Sequence, residues 1–224
     1  MHNLNYIDWG LIDYKEAWDK QELIFSKKVY DKINNTSKAI DQDFILCEHP
    51  HVYTLGQHGE INNLLINDEF LNKINATYYK TNRGGDITYH GFGQIVGYPI
   101  LDIEALGLSL KTYIWTIEEM VIKTMSEYGI VCQRMGGATG VWIDSTEKTA
   151  RKICAIGVKA SRYITMHGFA LNVNTDLNYF NHINPCGFMD KGVSSMKKEI
   201  GKEVDMEEVR EKLYKHFAEL INKK

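Results

Sequence analysis

The feature that most restricts the fold is the irregular order in which short apolar runs and helical patterns follow one another along the 224 residues. Runs bounded by glycines and charged turns predict strands over residues 44–47, 77–80, 95–101, 130–133, 141–143, 153–156 and 168–173. Residues 83–94 are predicted to be a glycine-rich turn region. Polar caps predict the starts of four helices, at Asp13, Asn67, Ser109 and Asp205.

Strand runs outnumber the helices between them, so the order does not fit a strict βαβ repeat. It predicts an α+β domain, with a mixed β-sheet and flanking helices. A chain of 224 residues can fill one hydrophobic core, so we expect residues 1–224 to form a single domain.

Composition excludes several classes of partner. The net charge of -3 gives no bulk attraction to nucleic acid or to acidic membranes. No apolar run approaches the roughly 20 residues that span a bilayer, and residues 1–6 do not resemble an export signal. The four cysteines lie far apart, at Cys47, Cys132, Cys154 and Cys186, without metal-ligand spacing. We therefore expect reduced thiols in a cytoplasmic protein, with no nucleic acid and no membrane as partner.

Two patterns superficially resemble cofactor or metal sites. In Gly91–Gly97 the third glycine falls one place late for G-x-G-x-x-G, and a strand-like run follows instead of a helix. His49 and His51 alternate in a stretch broken by Pro50, without a third ligand nearby, which is more typical of polar surface than of a metal pair. No Walker-type phosphate loop occurs. The sequence predicts neither a cofactor nor a metal.

Three stretches contain residues suited to catalysis or binding. Pro185 and Gly187 flank Cys186 and favour a tight bend that presents the thiol, although a single cysteine is more often a small buried hydrophobe. Lys152 enters an otherwise apolar strand, where a lysine usually remains in solvent. Residues 83–91 combine two adjacent glycines with side-chain donors, and form either a ligand-binding loop or a solvated one.

Taken together, these stretches closely resemble the octanoyl-ACP:protein N-octanoyltransferase family, also called lipoyl(octanoyl) transferases. The resemblance covers about residues 43 to 196. It rests on Glu48–Pro50 with Thr54–Gly56, on the pattern Arg83-Gly84-Gly85-x-x-Thr88-x-His90-x-x-Gly93-Gln94, on Lys152–Ile153 with Ala155–Gly157, on His167–Asn172 and on Asn184–Gly187. Phe92 departs from the pattern, since the family usually has proline there.

The resemblance implies the fold of biotin and lipoate protein ligases, and transfer of an octanoyl group to a lysine of lipoyl domains. It implies that Cys186 is the acyl-thioester nucleophile, and that Lys152 lowers the pKa of that thiol and serves as acid and base. The implied substrate-binding residues are Arg83, Gly84, Gly85, Asp86, Ile87, Thr88, Tyr89, His90, Ala155, Ile156, Gly157, Gly168, Phe169 and Ala170. The implied partners are octanoyl-acyl carrier protein as donor, and the lipoyl domains of 2-oxoacid dehydrogenase E2 subunits and the glycine cleavage H protein as acceptors. We expect a monomer.

The residue types suit this chemistry. A thiol with a reference pKa of ~8.5 is mostly protonated at neutral pH, so a nearby ammonium would increase the thiolate fraction. Three alternatives remain: an ATP-dependent lipoate-protein ligase of the same fold, a non-catalytic carrier-protein or lipoyl-domain binding module, and a thiol hydrolase that pairs the cysteine with His167 or His182.

Overall fold

The computed structural model describes residues 4–36, 40–184 and 191–222. The strands are β1 (Leu4–Leu11), β2 (Gln42–Glu48), β3 (Val52–Leu55), β4 (Thr77–Lys80), β5 (Ile87–His90), β6 (Gln94–Ile100), β7 (Gln133–Met135), β8 (Ala138–Ile143), β9 (Arg151–Ser161), β10 (Ile164–Asn172) and β11 (Gly192–Val193). The helices are α1 (Tyr14–Asn34), α2 (Asp68–Lys73), α3 (Leu110–Glu127), α4 (Met196–Ile200) and α5 (Met206–Asn222), with short 3₁₀ helices at Ile61–Asn63 and Leu177–His182.

The strands form two sheets. The large sheet has the order β1-β2-β6-β10-β9-β8-β7, with β11 paired to β9, and the small sheet has the order β4-β3-β5. In the large sheet β1 pairs with β2 and β11 pairs with β9 in parallel, whereas the other pairs are antiparallel. The prediction of an α+β fold with a mixed sheet and flanking helices is confirmed.

Helices cover both faces of the large sheet. Successive side chains of a strand point to opposite faces. Phe44 and Leu46 accordingly pack in the cluster that contains α3 and α5, while Ile45 and Cys47 pack in the cluster that contains α1. Strands β2 and β6 are buried along nearly their whole length, and β6 pairs with β10, which in turn pairs with β9.

The predicted helix starts are correct because capping is a local interaction. The carboxylate of Asp13 accepts hydrogen bonds from the backbone of Lys15 and Glu16 at the start of α1. The side chains of Asn67 and Ser109 accept in the same way at α2 and α3, and Asp205 accepts from the backbone at the start of α5. Each cap satisfies an amide that a helix terminus otherwise leaves unpaired.

The predicted strands needed two corrections. The expected strand at 130–133 is displaced, since β7 begins at Gln133 and Ile130 is buried outside regular structure. The region 83–94 is not entirely turn, because Ile87–His90 forms β5 and pairs with β3. Strands β1, β3 and β11 and helix α4 were not predicted. Within the described ranges, no helix is both long and apolar enough to cross a membrane.

Candidate active site

A cavity of about 320 Å³ lies between the two sheets. That volume is at the lower end of the range for small-molecule sites. Every described residue of the predicted site lines it except Gly84 and Tyr89. The large sheet contributes its small residues from β9 and β10, and the small sheet contributes the loop before β5 and β5 itself.

Small residues of β9 and β10 line the large-sheet side of the cavity and leave space in it. Ala155 faces Ala170, and Gly157 faces Gly168, across the antiparallel pair β9–β10. A Cβ at Gly168 would lie 2.2 Å from the carbonyl oxygen of Gly97. Glycine is therefore required there for the close approach of β10 to β6, and the same small residues leave space on the cavity side.

The loop at residues 83–86 is fixed to both sheets by its backbone. The amide of Gly84 donates to the carbonyl of Val158 on β9 over 2.9 Å. The amide of Gly56 donates to the carbonyl of Asp86 over 3.2 Å. A Cβ at Gly157 would lie 2.8 Å from the Gly84 carbonyl oxygen, so a side chain there would displace the loop. The Gly84 backbone thus holds the loop against β9, although Gly84 itself does not line the cavity.

The guanidinium of Arg83 is buried in the wall of the cavity, and most of its donors are already used. It donates to the carbonyl and hydroxyl oxygens of Thr54 over 2.6 and 2.9 Å, and to the carbonyl of Gly84 over 3.1 Å. Burial lowers the pKa of Arg83 from its ordinary value. These contacts hold the loop against the end of β3, and they make Arg83 a fixed cationic part of the cavity wall.

The histidines near the cavity are buried and neutral. His90 hydrogen-bonds through Nδ1 to the amide of Gln94 over 2.8 Å, and burial lowers its pKa to about 3, assisted by His49 and Arg83. His49 donates from Nδ1 to the carbonyl of Ile12, and its Nε2 lies 2.6 Å from the hydroxyl of Tyr98. Burial lowers the pKa of His49 to about 4.

His49 and His51 do not act as a pair. The ring of His51 lies over Tyr179 and its Nδ1 lies 2.7 Å from the hydroxyl of Tyr89. Tyr89 is consequently directed into the small-sheet cluster and away from the cavity. Among the described residues no group of three histidines, cysteines or carboxylates is arranged to hold a metal ion.

The two histidines considered for a thiol hydrolase have other surroundings. His182 ends a 3₁₀ helix, packs edge-on against Phe70 and does not line the cavity. His167 lines the cavity, and its Nε2 lies 2.7 Å from Oδ1 of Asn82.

Lys152 lines the cavity from the start of β9, whereas Val158, which accepts from Gly84, lies towards the other end of the strand. Its ammonium lies 4.7 Å from the ring centre of Trp142, which also lines the cavity. Val193 of β11 pairs with Lys152, and the amide of Ser194 donates to the carbonyl of Lys152 over 2.9 Å. The chain that follows Lys191 is therefore bound directly beside this lysine.

Cys186 lies outside the described residues, so its predicted position is not tested by the structure. The other three cysteines are buried and free. Burial raises the pKa of Cys132 to about 12, and it raises the pKa of Cys47 and Cys154 well above the ordinary value for a thiol. None of these three thiols is suited to nucleophilic attack at neutral pH.

Several cavity residues were not predicted from the sequence. Tyr14 comes from the first turn of α1, Trp142 from β8 and Tyr98 from β6. No local signal distinguishes them from core aromatics. Gln94 and Asn172 belong to the recognised motifs and could have been included: Gln94 donates to Asn172 over 2.9 Å.

The chain matches a family described as the lipoyl protein ligase A/B catalytic domain over residues 13–218. It is 54% identical over 217 residues to an octanoyltransferase of Bacteroides fragilis, a match that covers 96% of this chain and 97% of that protein. It is 56% identical over 217 residues to an octanoyltransferase of Christiangramia forsetii, covering 95% and 93%. Among solved structures, a bi-partite lipoate protein ligase from Thermoplasma acidophilum superimposes with a TM-score of 0.70 at 15% identity, covering 99% of this chain and 84% of that one. The last likeness shows a shared fold.

Proposed function

The chain belongs to the lipoyl protein ligase A/B catalytic domain family, and on that premise we propose that its octanoyl transfer in protein lipoylation proceeds through a thioester on Cys186. The protein is an acyltransferase that needs an acyl donor and a lipoyl-domain acceptor. In the proposal the donor is octanoyl-acyl carrier protein. The acceptors are lipoyl domains of 2-oxoacid dehydrogenase E2 subunits and the glycine cleavage H protein.

The observation that carries the proposal is that the chain on both sides of Cys186 borders the cavity that contains Lys152. Ile183 and Lys191 line that cavity. The amide of Asn184 donates to the carbonyl of Asn63 over 2.8 Å, which fixes the chain before the cysteine. Two peptide units separate Asn184 from Cys186, so their Cα atoms are at most about 7 Å apart. The other cysteines are excluded by burial and by their raised pKa.

Two acyl transfers complete the reaction. Lys152 takes the proton of the Cys186 thiol, and the thiolate attacks the carbonyl carbon of the donor thioester to form a new C–S bond. The C–S bond to the carrier breaks, and the carrier thiolate leaves with the proton that Lys152 returns. The amine of the target lysine then attacks the same carbon, an amide forms, and the Cys186 sulfur leaves. The amine must lose a proton in this step, and Lys152 in its neutral form accepts it. The arrangement needs no metal and no cofactor.

Lys152 is suited to both steps by its position. As an ammonium it favours the thiolate of a nearby cysteine. Its attraction to the ring of Trp142, with 4.7 Å from nitrogen to ring centre, keeps it at the end of the cavity. The imidazole of His90 and the amides of Gln94 and Asn172 are hydrogen-bonded to one another, so they do not replace Lys152 as the acid and base.

The apolar part of the cavity suits an eight-carbon chain. The residues that provide it are Ile87, Val96, Ala155, Ile156, Phe169 and Ala170. Burial of apolar surface contributes about 25 cal/mol per Å², which is sufficient to hold a saturated chain without hydrogen bonds. The substrate-binding role of residues 83–90, 155–157 and 168–170 remains part of the proposal.

We further propose a monomer that acts in the cytoplasm, with residues 1–224 as a single catalytic domain. The free cysteines in the described part of the chain agree with a reducing compartment. The matches to octanoyltransferases bear out an enzyme rather than a non-catalytic binding module. The ATP-dependent ligase differs from the proposal because it needs ATP and free acid but no cysteine nucleophile.

The proposal is tested by the intact mass of the protein after mixing with octanoyl-acyl carrier protein. We expect the wild type to gain one octanoyl group and to lose it when a lipoyl domain is added. Cys186→Ser should not form a labile thioester, whereas Cys132→Ser, the matched control, should be labelled like the wild type. Lys152→Met should acylate and deacylate more slowly.

Equal labelling of Cys186→Ser and the wild type at a hydroxylamine-sensitive thioester would remove Cys186 as the nucleophile. Absence of labelling, with transfer only after addition of ATP and free octanoate, would assign the protein to the ligases. Absence of transfer under both conditions would refute the proposal.

A further inference from the structure

The cavity wall beside Val158 is polar, whereas the wall formed by Ala155, Ile156 and Ala170 is apolar. Beside Val158 the hydrogen bond from the Gly84 amide joins the loop to β9. The guanidinium of Arg83 and the imidazole of His167 line this part of the cavity. His167 pairs with Val158 across β10 and β9, one residue beyond the pair of Gly168 with Gly157.

The ring of His167 is held in one orientation. Its backbone has φ of 59°, an uncommon value for a residue within a strand, and its amide donates to Oε1 of Gln21 over 3.1 Å. The side chain is 1% exposed. On the other side of the ring, Nε2 lies 2.7 Å from Oδ1 of Asn82.

Glu22 determines which ring nitrogen of His167 carries the proton. The amide nitrogen of Asn82 donates to Oε1 of Glu22 over 2.7 Å, and the ammonium of Lys159 lies 3.2 Å from the same oxygen. Burial raises the pKa of Glu22, but these hydrogen bonds together lower it by more, so the pKa lies below its ordinary value. Glu22 is therefore a carboxylate and only accepts hydrogen bonds. Asn82 must then present its oxygen to His167, which donates from Nε2. Nδ1 therefore carries the lone pair.

Nδ1 of His167 is a buried acceptor with no hydrogen-bond partner among the described residues. Burial, together with Arg83 and Lys159, lowers the pKa of His167 to about 3, so the ring stays neutral at physiological pH. A methyl group packed against this nitrogen would exclude water from it without replacing the hydrogen bond, which is unfavourable.

We propose that His167, held by Asn82, forms a polar end wall that sets the longest acyl chain the cavity accepts. The inference rests on the proposed function, which places the thioester carbonyl at the Lys152 end. Val158, which pairs with His167, lies six residues from Lys152 on β9, or about 20 Å at the rise of a strand. An extended octanoyl chain spans about 9 Å with carbon–carbon bonds of ~1.5 Å. It ends before the wall, whereas a chain about twice as long reaches it.

The test compares transfer to a lipoyl domain from acyl carrier protein loaded with acyl groups of different length, from octanoyl to octadecanoyl. His167→Asn shortens the side chain and tolerates the positive φ. For the first chain that the wild type transfers poorly, we expect its rate relative to octanoyl to rise about tenfold, which corresponds to about 1.4 kcal/mol. His182→Asn, a histidine outside the cavity, should keep the wild-type dependence on chain length.

Thermal denaturation shows whether His167→Asn folds, and Asn82→Ala serves as the test if it does not. Asn82→Ala keeps the imidazole but removes the hydrogen bond that holds it, so we expect a smaller rise in the relative rate for the longer chain. An unchanged dependence on chain length in the folded variants, or equal rates for all chains in the wild type, would overturn the inference. Absence of octanoyl transfer by the wild type would instead refute the proposed function.

Discussion

Arg210 connects the C-terminal helix α5 to the turn that precedes β6, although residues after Met196 carry no recognised motif. Its guanidinium lies 2.9 Å from Asp8 and 2.8 Å from Glu48. The second oxygen of Glu48 accepts from the amide of Gly93 over 2.9 Å. The carbonyl of Gly93 in turn accepts from the amide of Asn174 over 2.8 Å. Replacement of Arg210 should therefore affect both the stability of the fold and the turn that leads into β6.

The magnitude follows from the burial of the three charges. The side chain of Arg210 is 4% exposed, whereas those of Asp8 and Glu48 are 33% and 22% exposed. Breaking a fully buried ion pair costs about 3–5 kcal/mol because a charge is left without its partner. In Arg210→Met the two carboxylates regain some hydration, so we expect a loss of about 2–3 kcal/mol in the free energy of unfolding. For a chain of this size that corresponds to about 5–10 °C in Tm.

Urea denaturation of Arg210→Met, Glu48→Gln and the double variant measures this coupling directly. We expect the sum of the two single losses in unfolding free energy to exceed the loss in the double variant by about 1–2 kcal/mol, because each single variant removes the same interaction. Lys27→Met removes an exposed pair on α1 and serves as the control, with no measurable change expected. Additivity within about 0.5 kcal/mol would refute the coupling.

Three further predictions follow from the geometry of the site and the buried groups. Gly168→Ala places a methyl group 2.2 Å from the Gly97 carbonyl oxygen, so we expect the free energy of unfolding in urea to fall by about 1–3 kcal/mol and transfer to slow. Gly107→Ala, with open space around it, is the control: it should affect only its own loop and leave the transfer rate unaltered. Cys47, Cys132 and Cys154 should resist iodoacetamide at pH 7.5 in the folded protein and react in urea, which peptide mapping detects; rapid alkylation of any of them would contradict their burial. Burial lowers the pKa values of His49, His90 and His167 to about 4, 3 and 3, so below about pH 6.5 the unfolded chain binds protons that the folded chain does not. Their contribution to the free energy of unfolding is therefore complete above about pH 6.5 and is lost as the pH falls towards 4. His49→Gln should reduce the slope of unfolding free energy against pH near pH 5 by about 1.4 kcal/mol per pH unit, and an unchanged slope would show that His49 is protonated in the native state.

The parts of the fold that depend on local chemistry could be predicted from the sequence. The caps at Asp13, Asn67 and Ser109 each accept a hydrogen bond from an amide two or three residues ahead, so the sequence contains the whole interaction. Strand β3 was missed because Pro50 and alternating polar residues hide it, and its pairing with β4 and β5 involves residues about 25 to 38 positions away. Non-local pairing of this kind has no local sequence signal.

The site was predictable where it consists of motifs, and not where packing brings distant aromatic residues to it. The motif residues around Arg83, Ala155 and Gly168 surround one cavity. Tyr14 reaches the same cavity from α1 because its ring stacks on His90 at 5.8 Å between centroids. The sequence also did not distinguish Tyr89, which lies beside His51, from the neighbouring His90, which lines the cavity.

Residues that form the proposed acyl-binding cavity are largely separate from those proposed to break and form bonds. Gly157, Gly168 and Ala170 leave space along β9 and β10, and the Gly84 backbone joins the loop to β9. Lys152 lies towards the other end of β9, held beside Trp142 and next to the strand that follows Lys191. A cavity built in this way suits an acyl chain whether its carbonyl is delivered as a thioester or activated by ATP. In the proposed mechanism the distinction between transferase and ligase therefore depends on the thiol of Cys186, and the longest acyl chain depends on the polar wall at His167.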